Sequence, residues 1–107
     1  MQSILKNKNT RALFRAILLL KNTDEAERFF RDLLTKEEII EFGKRWQAAQ
    51  MLNKGIIYTE IEQKTGLSST TIARVAKWLN TGKNGYKLML KRIAHHHKSS
   101  SFGRGLC

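Results

Sequence analysis

Proline is absent from this 107-residue chain, and cysteine occurs only once. Because proline is the commonest helix breaker, its absence leaves glycine to separate the helices. The single cysteine, Cys107, is the last residue and has no partner for an intramolecular disulfide. Cysteine usage of this kind is typical of a reducing compartment, so we expect a cytoplasmic protein, associated with the nucleoid if it binds DNA.

Long apolar runs are missing as well. The longest one, at residues 16–20, is far shorter than the roughly 20 residues that a membrane-spanning helix needs. No small-residue cleavage site follows the basic N-terminus, which argues against a signal peptide. We therefore expect no membrane partner.

The sequence also lacks the motifs of the common enzyme classes. It contains no phosphate-binding glycine loop, no dinucleotide fingerprint and no acid pair spaced for catalysis. The run from His95 to His97 could hold a metal only loosely, because three consecutive side chains rarely close a metal site by themselves. We expect neither an enzyme nor a bound cofactor.

Acidic residues are scarce, and none occurs after Glu62. The chain has 20 Lys and Arg against 9 Asp and Glu, which gives a net charge of +11 at pH 7. The basic residues after Glu62 are Lys64, Arg74, Lys77, Lys83, Lys87, Lys91, Arg92, Lys98 and Arg104. This balance favours a polyanionic partner, such as DNA, RNA or an anionic membrane surface.

Apolar residues recur at helical spacing along most of the chain, which predicts an all-α fold. A first helix is expected at about residues 10–20, and a second one after the capping residue Asn22. Thr35 and Glu38 have the spacing of a capping box at the start of a third helix. Gly55 is suited to the left-handed position after its end.

Three shorter helices are predicted in the second half, at about residues 59–64, 69–80 and 86–94. Leu88, Met89 and Ile93 are expected to dock the last of them on the core. From His95 onward the chain is polar, so we predict a disordered basic tail at residues 95–107. The remainder, residues 1–94, is expected to form one domain.

Residues 57–80 have the pattern of a helix-turn-helix, in which a tight turn joins two short helices. Gly66 suits the turn because glycine tolerates a positive φ, and Ser68 suits the N-cap of the second helix. In such a motif the second helix enters the major groove of DNA. The apolar residues expected to pack the two helices on the third are Ile61, Leu67, Ile72, Val75 and Leu79.

The opposite side of the second helix carries small polar and basic side chains. Thr70 and Ala73 are placed to contact bases, because a hydroxyl can bond a base edge and a methyl group can contact thymine. Lysines here and in the flanking turns are placed to contact phosphates. The predicted DNA-binding residues are Ser68, Ser69, Thr70, Thr71, Ala73, Arg74, Lys77, Lys64 and Lys54. An ordinary helical hairpin, whose serines and threonines only cap and solvate it, fits the same pattern.

Several short motifs carry a family resemblance: Leu34-Thr35, Gly43-Lys44-Arg45, Asn53-Lys54-Gly55, Glu60-Ile61 through Gly66, Thr71-Ile72-Ala73-Arg74 and Asn84-Gly85-Tyr86-Lys87-Leu88. With them the chain resembles the Trp repressor family, and within it the YerC/YecD group. The resemblance implies about six helices and two chains intertwined through their N-terminal helices. It also implies a homodimeric transcriptional regulator of the repressor type, whose two recognition helices bind an operator.

The resemblance further implies a candidate ligand pocket. Thr35, Arg45 and Arg74 match positions that line the tryptophan pocket in the Trp repressor. Where that family has a glycine after the second arginine, this chain has Val75, whose branched side chain would occupy the space of the indole. Trp78, one turn further on, is expected to fill the cavity from within. Tryptophan is therefore not expected to act as a co-repressor.

A basic RNA-binding or ribosome-associated helical module is the main alternative function, because it would use the same positive charge. Proteins that bind RNA often present aromatic side chains on which bases stack. Here Phe29, Phe30, Phe42 and Trp46 fall on faces that are predicted to be buried, which favours DNA. A helical adaptor is a third alternative, and the acid-free second half does not favour it.

Overall fold

The computed structural model describes the backbone of residues 2–104 and the side chains of residues 4–96. Within this range all regular structure is helical, which confirms the predicted all-α class. Contacts within the chain define two compact units, one ending at Ile40 and one beginning at Glu41. The limits of the predicted domain, residues 1–94, stay a prediction.

The first unit contains three helices: α1 (Gln2–Lys6), α2 (Lys8–Ile17) and α3 (Thr23–Leu33). The helix predicted at residues 10–20 is thus α2, which begins and ends earlier than expected. The reason for the early start is a cap at Asn7, whose side chain accepts hydrogen bonds from the backbone amides of Asn9 and Thr10 at 2.8 and 3.2 Å. These bonds start the helix at Lys8, ahead of the apolar residues that indicated the predicted one.

The predicted cap of the second helix is confirmed, since the Asn22 side chain accepts from the backbone amide of Glu25 at 2.9 Å. Neither α2 nor α3 contains a buried residue, although both are amphipathic. The apolar sides of these two helices are thus only partly covered within the chain.

The long helix α4 (Lys36–Asn53) begins at the predicted capping box. The backbone amide of Glu38 donates to the Thr35 hydroxyl at 3.1 Å, and the backbone amide of Thr35 donates to the Glu38 carboxylate at 2.9 Å. After the helix ends, Gly55 has a φ of +79°, the left-handed conformation that was predicted for it. Both ends of α4 are therefore set by local signals.

The core of the second unit joins α4 to two shorter helices, α5 (Tyr58–Thr65) and α6 (Ser69–Thr81). Ala48 and Ala49 of α4 are fully buried in this core. The buried residues of this core are Ala48, Ala49, Met51, Ile61, Leu67, Ile72 and Val75, and Leu79 is buried as well. All five residues predicted to pack the helix-turn-helix are among them, so that prediction is confirmed.

The last helix, α7 (Gly85–Arg104), is longer than predicted. The sequence pattern predicted an end at Ala94 and a disordered tail from His95, whereas the structure is helical through Arg104. Polar composition alone does not end a helix, and neither proline nor glycine interrupts residues 86–102. Residues 105–107, with the lone Cys107, lie outside the described part of the chain.

Tyr86 anchors the start of α7. Its ring stacks on Trp46 with a centroid distance of 6.4 Å and an interplanar angle of 16°, and both residues pack against the buried core. The predicted docking residues Leu88, Met89 and Ile93 are instead 41%, 45% and 47% exposed. That part of the prediction is wrong for the single chain, because helical spacing does not show which side of α7 faces the core.

Aromatic side chains are less buried than their helical spacing predicted. Phe42 is 48% exposed, and Trp46, Phe29 and Phe30 are half-buried. Trp78 is 45% exposed, so it does not fill a cavity inside the chain as expected. Helical spacing placed these residues on an apolar side of a helix, but it carried no information on how far that side is covered.

None of the described helices combines the length and the hydropathy that crossing a lipid bilayer requires. At the described positions, no three His, Cys, Asp or Glu side chains come together as a metal-binding group. His97 and Cys107 lie outside the described side chains.

Candidate nucleic-acid interface

A buried hydroxyl group holds the turn between α5 and α6 by hydrogen bonds to the backbone on both sides of it. Thr65 is only 4% exposed, and its Oγ1 donates to the carbonyl of Ile61 at 2.7 Å. The same oxygen accepts from the backbone amide of Leu67 at 3.1 Å. Gly66 has a φ of +78°, which confirms the predicted positive φ. These contacts fix the angle at which α6 leaves the turn.

Ser68 is the N-cap of α6, as predicted. Its hydroxyl accepts from the backbone amide of Thr71 at 3.2 Å and donates to the Thr71 hydroxyl at 3.1 Å. Both hydroxyls are therefore engaged in starting the helix, and Thr71 is half-buried. Although both residues were predicted to bind DNA, the contacts in the chain give them a structural role first.

The remaining predicted residues on α6 form its exposed side: Ser69, Thr70, Ala73, Arg74 and Lys77. On the opposite side, Ile72 and Val75 are fully buried and Leu79 is 7% exposed. The helix thus divides into an apolar side in the core and a side of small polar and basic groups in solvent. Small side chains let the helix backbone approach a surface closely, and the two cations suit an anionic one.

The predicted phosphate-binding lysines outside α6 lie on neighbouring elements. Lys64 is in the last turn of α5, where its ammonium is 3.9 Å from the Glu60 carboxylate. Lys54 is exposed in the turn after α4. Among the side chains that the structure describes, neither Arg74 nor Lys77 forms an ion pair, so both charges remain available for a ligand.

Lys44 is a basic residue near the turn that was not among the predicted binding residues. Its ammonium nitrogen is 3.7 Å from the point that a Cβ at Gly66 would occupy. The side chain is half-buried, four residues before the fully buried Ala48 on α4. That spacing was visible in the sequence and places Lys44 on the side of α4 that faces the core.

Two of the three residues of the implied ligand pocket, Thr35 and Arg45, make side-chain contacts within the chain. The Thr35 hydroxyl belongs to the capping box of α4. The Arg45 Nε donates to the Glu41 carboxylate at 3.3 Å, and its guanidinium lies 5.9 Å from the centroid of the Phe42 ring. Arg74 is exposed on α6. Thr35 and Arg45 are thus engaged within the chain, whereas Arg74 is free, among the side chains that the structure describes, to contact a ligand.

Val75 lies entirely within the core, with none of its surface exposed. Its side chain belongs to the same buried cluster as Ala49 and Ile72. The valine therefore takes part in the packing between α6 and α4, and the space it fills is already occupied.

Burial raises the pKa of the Tyr86 hydroxyl above its usual 10.0, although the positive charge of Arg45 acts in the opposite direction. The phenol at the start of α7 is therefore held in its neutral form. The stack of this ring on Trp46 connects the start of α7 with α4.

The chain matches known proteins over most of its length. A family model, Trp repressor protein, matches residues 8–94. The uncharacterized protein YerC of Bacillus subtilis (strain 168) is 41% identical over 97 residues, which cover 91% of this chain and 93% of that protein.

Two crystal structures share the fold of the chain. A TrpR-like protein from Eubacterium eligens ATCC 27750 has a TM-score of 0.81 at 42% identity, covering 84% of this chain and 93% of that one. A candidate Trp repressor from Staphylococcus aureus has a TM-score of 0.81 at 40% identity, covering 88% of this chain and 95% of that one. The fold class predicted from the sequence, an all-α fold of the Trp-repressor type, is thereby confirmed.

Proposed function

This chain belongs to the Trp repressor protein family, and we propose that it is a transcriptional regulator that binds double-stranded DNA with sequence specificity. The observation that carries the proposal is the exposed side of α6, where small polar and basic groups stand opposite a buried apolar side. A helix that follows a tight glycine turn and is built in this way suits the major groove.

Within this proposal the residues of α6 divide into two roles. Thr70 and Ala73 contact base edges, since a hydroxyl and a methyl group can distinguish base pairs in the major groove. Lys77 and Arg74 contact phosphates, which position the protein without selecting a sequence. Ser69 lies at the start of the helix and completes the exposed set.

Lysines beside the motif extend the phosphate contacts. Lys54 is exposed in the turn before α5, Lys64 is exposed in the last turn of α5, and Lys44 lies against the turn after it. Lys64 exchanges its contact with Glu60 for a phosphate, which costs little because the ion pair is exposed and 3.9 Å long.

We further propose that the protein acts as a homodimer. Leu18 and Leu19 are 82% and 76% exposed, and neither α2 nor α3 buries a residue within the single chain. Adjoining apolar side chains that are exposed to this extent favour an interface with a second protein surface. Two recognition helices in one dimer would read two half-sites, which a single short helix cannot do.

We propose that the regulator is a repressor and that it acts in the cytoplasm, on the nucleoid. We also propose that it binds DNA without L-tryptophan as a ligand. The support for the last statement is Val75, which is fully buried and stands where the Trp repressor has the glycine that leaves room for an indole. Arg45 supports it as well, because its guanidinium is paired with Glu41.

The test is selection of duplexes from a randomised pool, followed by affinity measurements on the selected sequence and on random DNA. Thr70→Ala should weaken binding to the selected duplex by about tenfold or more and change the preferred sequence. Lys77→Gln should weaken both duplexes alike and lower the salt slope by about one unit for each subunit on the DNA, which is about two for the proposed dimer. Thr23→Ala and Lys36→Gln are matched controls at exposed positions far along the chain from the motif.

Two results would contradict the proposal. One is the absence of any enriched sequence, with equal binding of all duplexes. The other is tighter binding of single-stranded RNA than of duplex DNA, which would favour the RNA-binding alternative. The exposed aromatic rings, Phe42 and Trp78 among them, are a structural argument for that alternative, because exposed aromatic rings can stack on bases.

A further inference from the structure

Trp78 is a large aromatic side chain that α6 leaves 45% exposed, whereas Val75 and Leu79 on the same helix are buried. It lies four residues after Arg74, so these two side chains are neighbours on the helix surface. Lys77 directly precedes it and is exposed as well. An exposed tryptophan beside Arg74, which has no ion-pair partner among the described side chains, is a surface feature that packing inside the chain does not explain.

The position of Trp78 around the helix defines what it can reach. Successive residues of a helix are about 100° apart, which places Trp78 between the buried side marked by Val75 and the exposed side marked by Thr70. Arg74 lies on the same edge of the helix. When a recognition helix enters the major groove, its outermost side faces the bases and its edges face the groove walls, which are the sugar–phosphate backbones.

We infer that Trp78 is a contact to the DNA backbone, in which the ring packs on a deoxyribose and the indole N–H donates to a phosphate oxygen. This inference rests on the proposed function. An indole has an apolar body and one N–H donor, which matches a sugar next to a phosphate. Arg74 attracts a phosphate to the same edge of α6.

A neutral donor affects binding differently from a cation. Phosphate contacts carry no sequence information, so Trp78 strengthens binding to selected and random duplexes equally. Because the indole is uncharged, it releases no counterion and leaves the salt dependence unchanged. Lys77, by contrast, contributes to that dependence.

The first experiment uses fluorescence, since the chain contains only two tryptophans. W46F leaves Trp78 as the single reporter, and W78F leaves Trp46, which stacks on Tyr86 and packs against the core. Addition of the selected duplex should lower acrylamide quenching of Trp78 severalfold and leave that of Trp46 unchanged. If Trp78 is instead already protected by raising the protein concentration without DNA, a second copy covers it and the inference is overturned.

The second experiment does not depend on W46F folding correctly. The variant W78F should bind the selected duplex and a random duplex about tenfold more weakly, with an unchanged salt slope, whereas Lys77→Gln lowers the slope. Full affinity in W78F would overturn the inference while Thr70→Ala still supports the proposed function. Protection of Trp78 by single-stranded RNA but not by duplex DNA would overturn both.

Discussion

The hydroxyl of Ser68 accepts a hydrogen bond from the backbone amide of Thr71 at 3.2 Å, and this contact starts α6. Ser68→Ala removes it, and we expect the free energy of unfolding to fall by about 1 kcal/mol. Urea denaturation provides the measurement. The matched control is Ser69→Ala, since the next serine is exposed and its side chain makes no hydrogen bond among those described. An equal loss in both variants would contradict the capping role.

Replacement of two glycines by alanine should change the stability of the protein in opposite directions. Gly66 has a φ of +78°, a conformation in which a Cβ costs roughly 1–2 kcal/mol, so Gly66→Ala should destabilise the protein. Gly43 lies inside α4 with open space where a Cβ would stand, so Gly43→Ala should stabilise it by up to about 1 kcal/mol. Thermal unfolding of both variants checks the pair. Two changes of the same sign would contradict this assignment of conformations.

The proposed homodimer predicts a mass of about twice 12.4 kDa in sedimentation equilibrium and a thermal midpoint that rises with protein concentration. Replacement of Leu18 and Leu19 by glutamate should shift the equilibrium towards the monomer, because charges at 82% and 76% exposed positions must be desolvated on association. Asn9→Glu, at an exposed position of α2, is the control. A folded wild-type monomer whose thermal midpoint does not depend on protein concentration would refute the dimer.

Operator binding is expected to be independent of L-tryptophan. Val75 is fully buried, and overpacking a core typically costs about 1–3 kcal/mol, so we expect an indole to be disfavoured beside it. Calorimetry on the wild type should detect no binding, and millimolar tryptophan should leave the affinity for the selected duplex unchanged. Val75→Gly is the informative variant: weak indole binding there would show that the valine alone closes the space. A tenfold gain in the wild type's DNA affinity would contradict the steric explanation.

Alkaline pH should destabilise the fold through Tyr86. Burial raises the pKa of this phenol above 10.0, so the folded state favours its neutral form. The resulting stability is present below about pH 10 and is lost as the pH rises through the folded-state pKa. Tyr86→Phe should therefore flatten the fall in unfolding free energy above about pH 10. Tyr58→Phe is the control, and a similar flattening there would assign the effect to another cause.

Signals that act within a few residues of each other were recoverable from the sequence. The capping box of Thr35 and Glu38, the cap at Ser68 and the left-handed glycines Gly55 and Gly66 are all present in the structure. Each depends on one or two hydrogen bonds or one φ angle, and the responsible residue type is visible in the sequence. The buried side of the helix-turn-helix was predictable for a related reason, since its apolar residues recur at helical spacing.

Features that depend on distant contacts were not recoverable in the same way. The exposure of Phe42 and Trp78 depends on which surfaces meet, and helical spacing is silent on that point. Lys44 was missed because its importance comes from its distance to Gly66, 22 positions further along the chain. The extent of α7 was missed because a polar segment can be helical whenever no residue stops it.

The side-chain hydrogen bonds that hold the turn and cap α6 all join residues between 61 and 71. The exposed side chains of Ser69 and Thr70 take part in none of these bonds. Stability and surface chemistry are therefore assigned to different positions of the same short segment. Substitutions at exposed sites of this kind usually change stability by no more than about 0.5 kcal/mol. In evolutionary terms, a lineage can alter the surface that α6 presents one residue at a time, without passing through an intermediate that fails to fold.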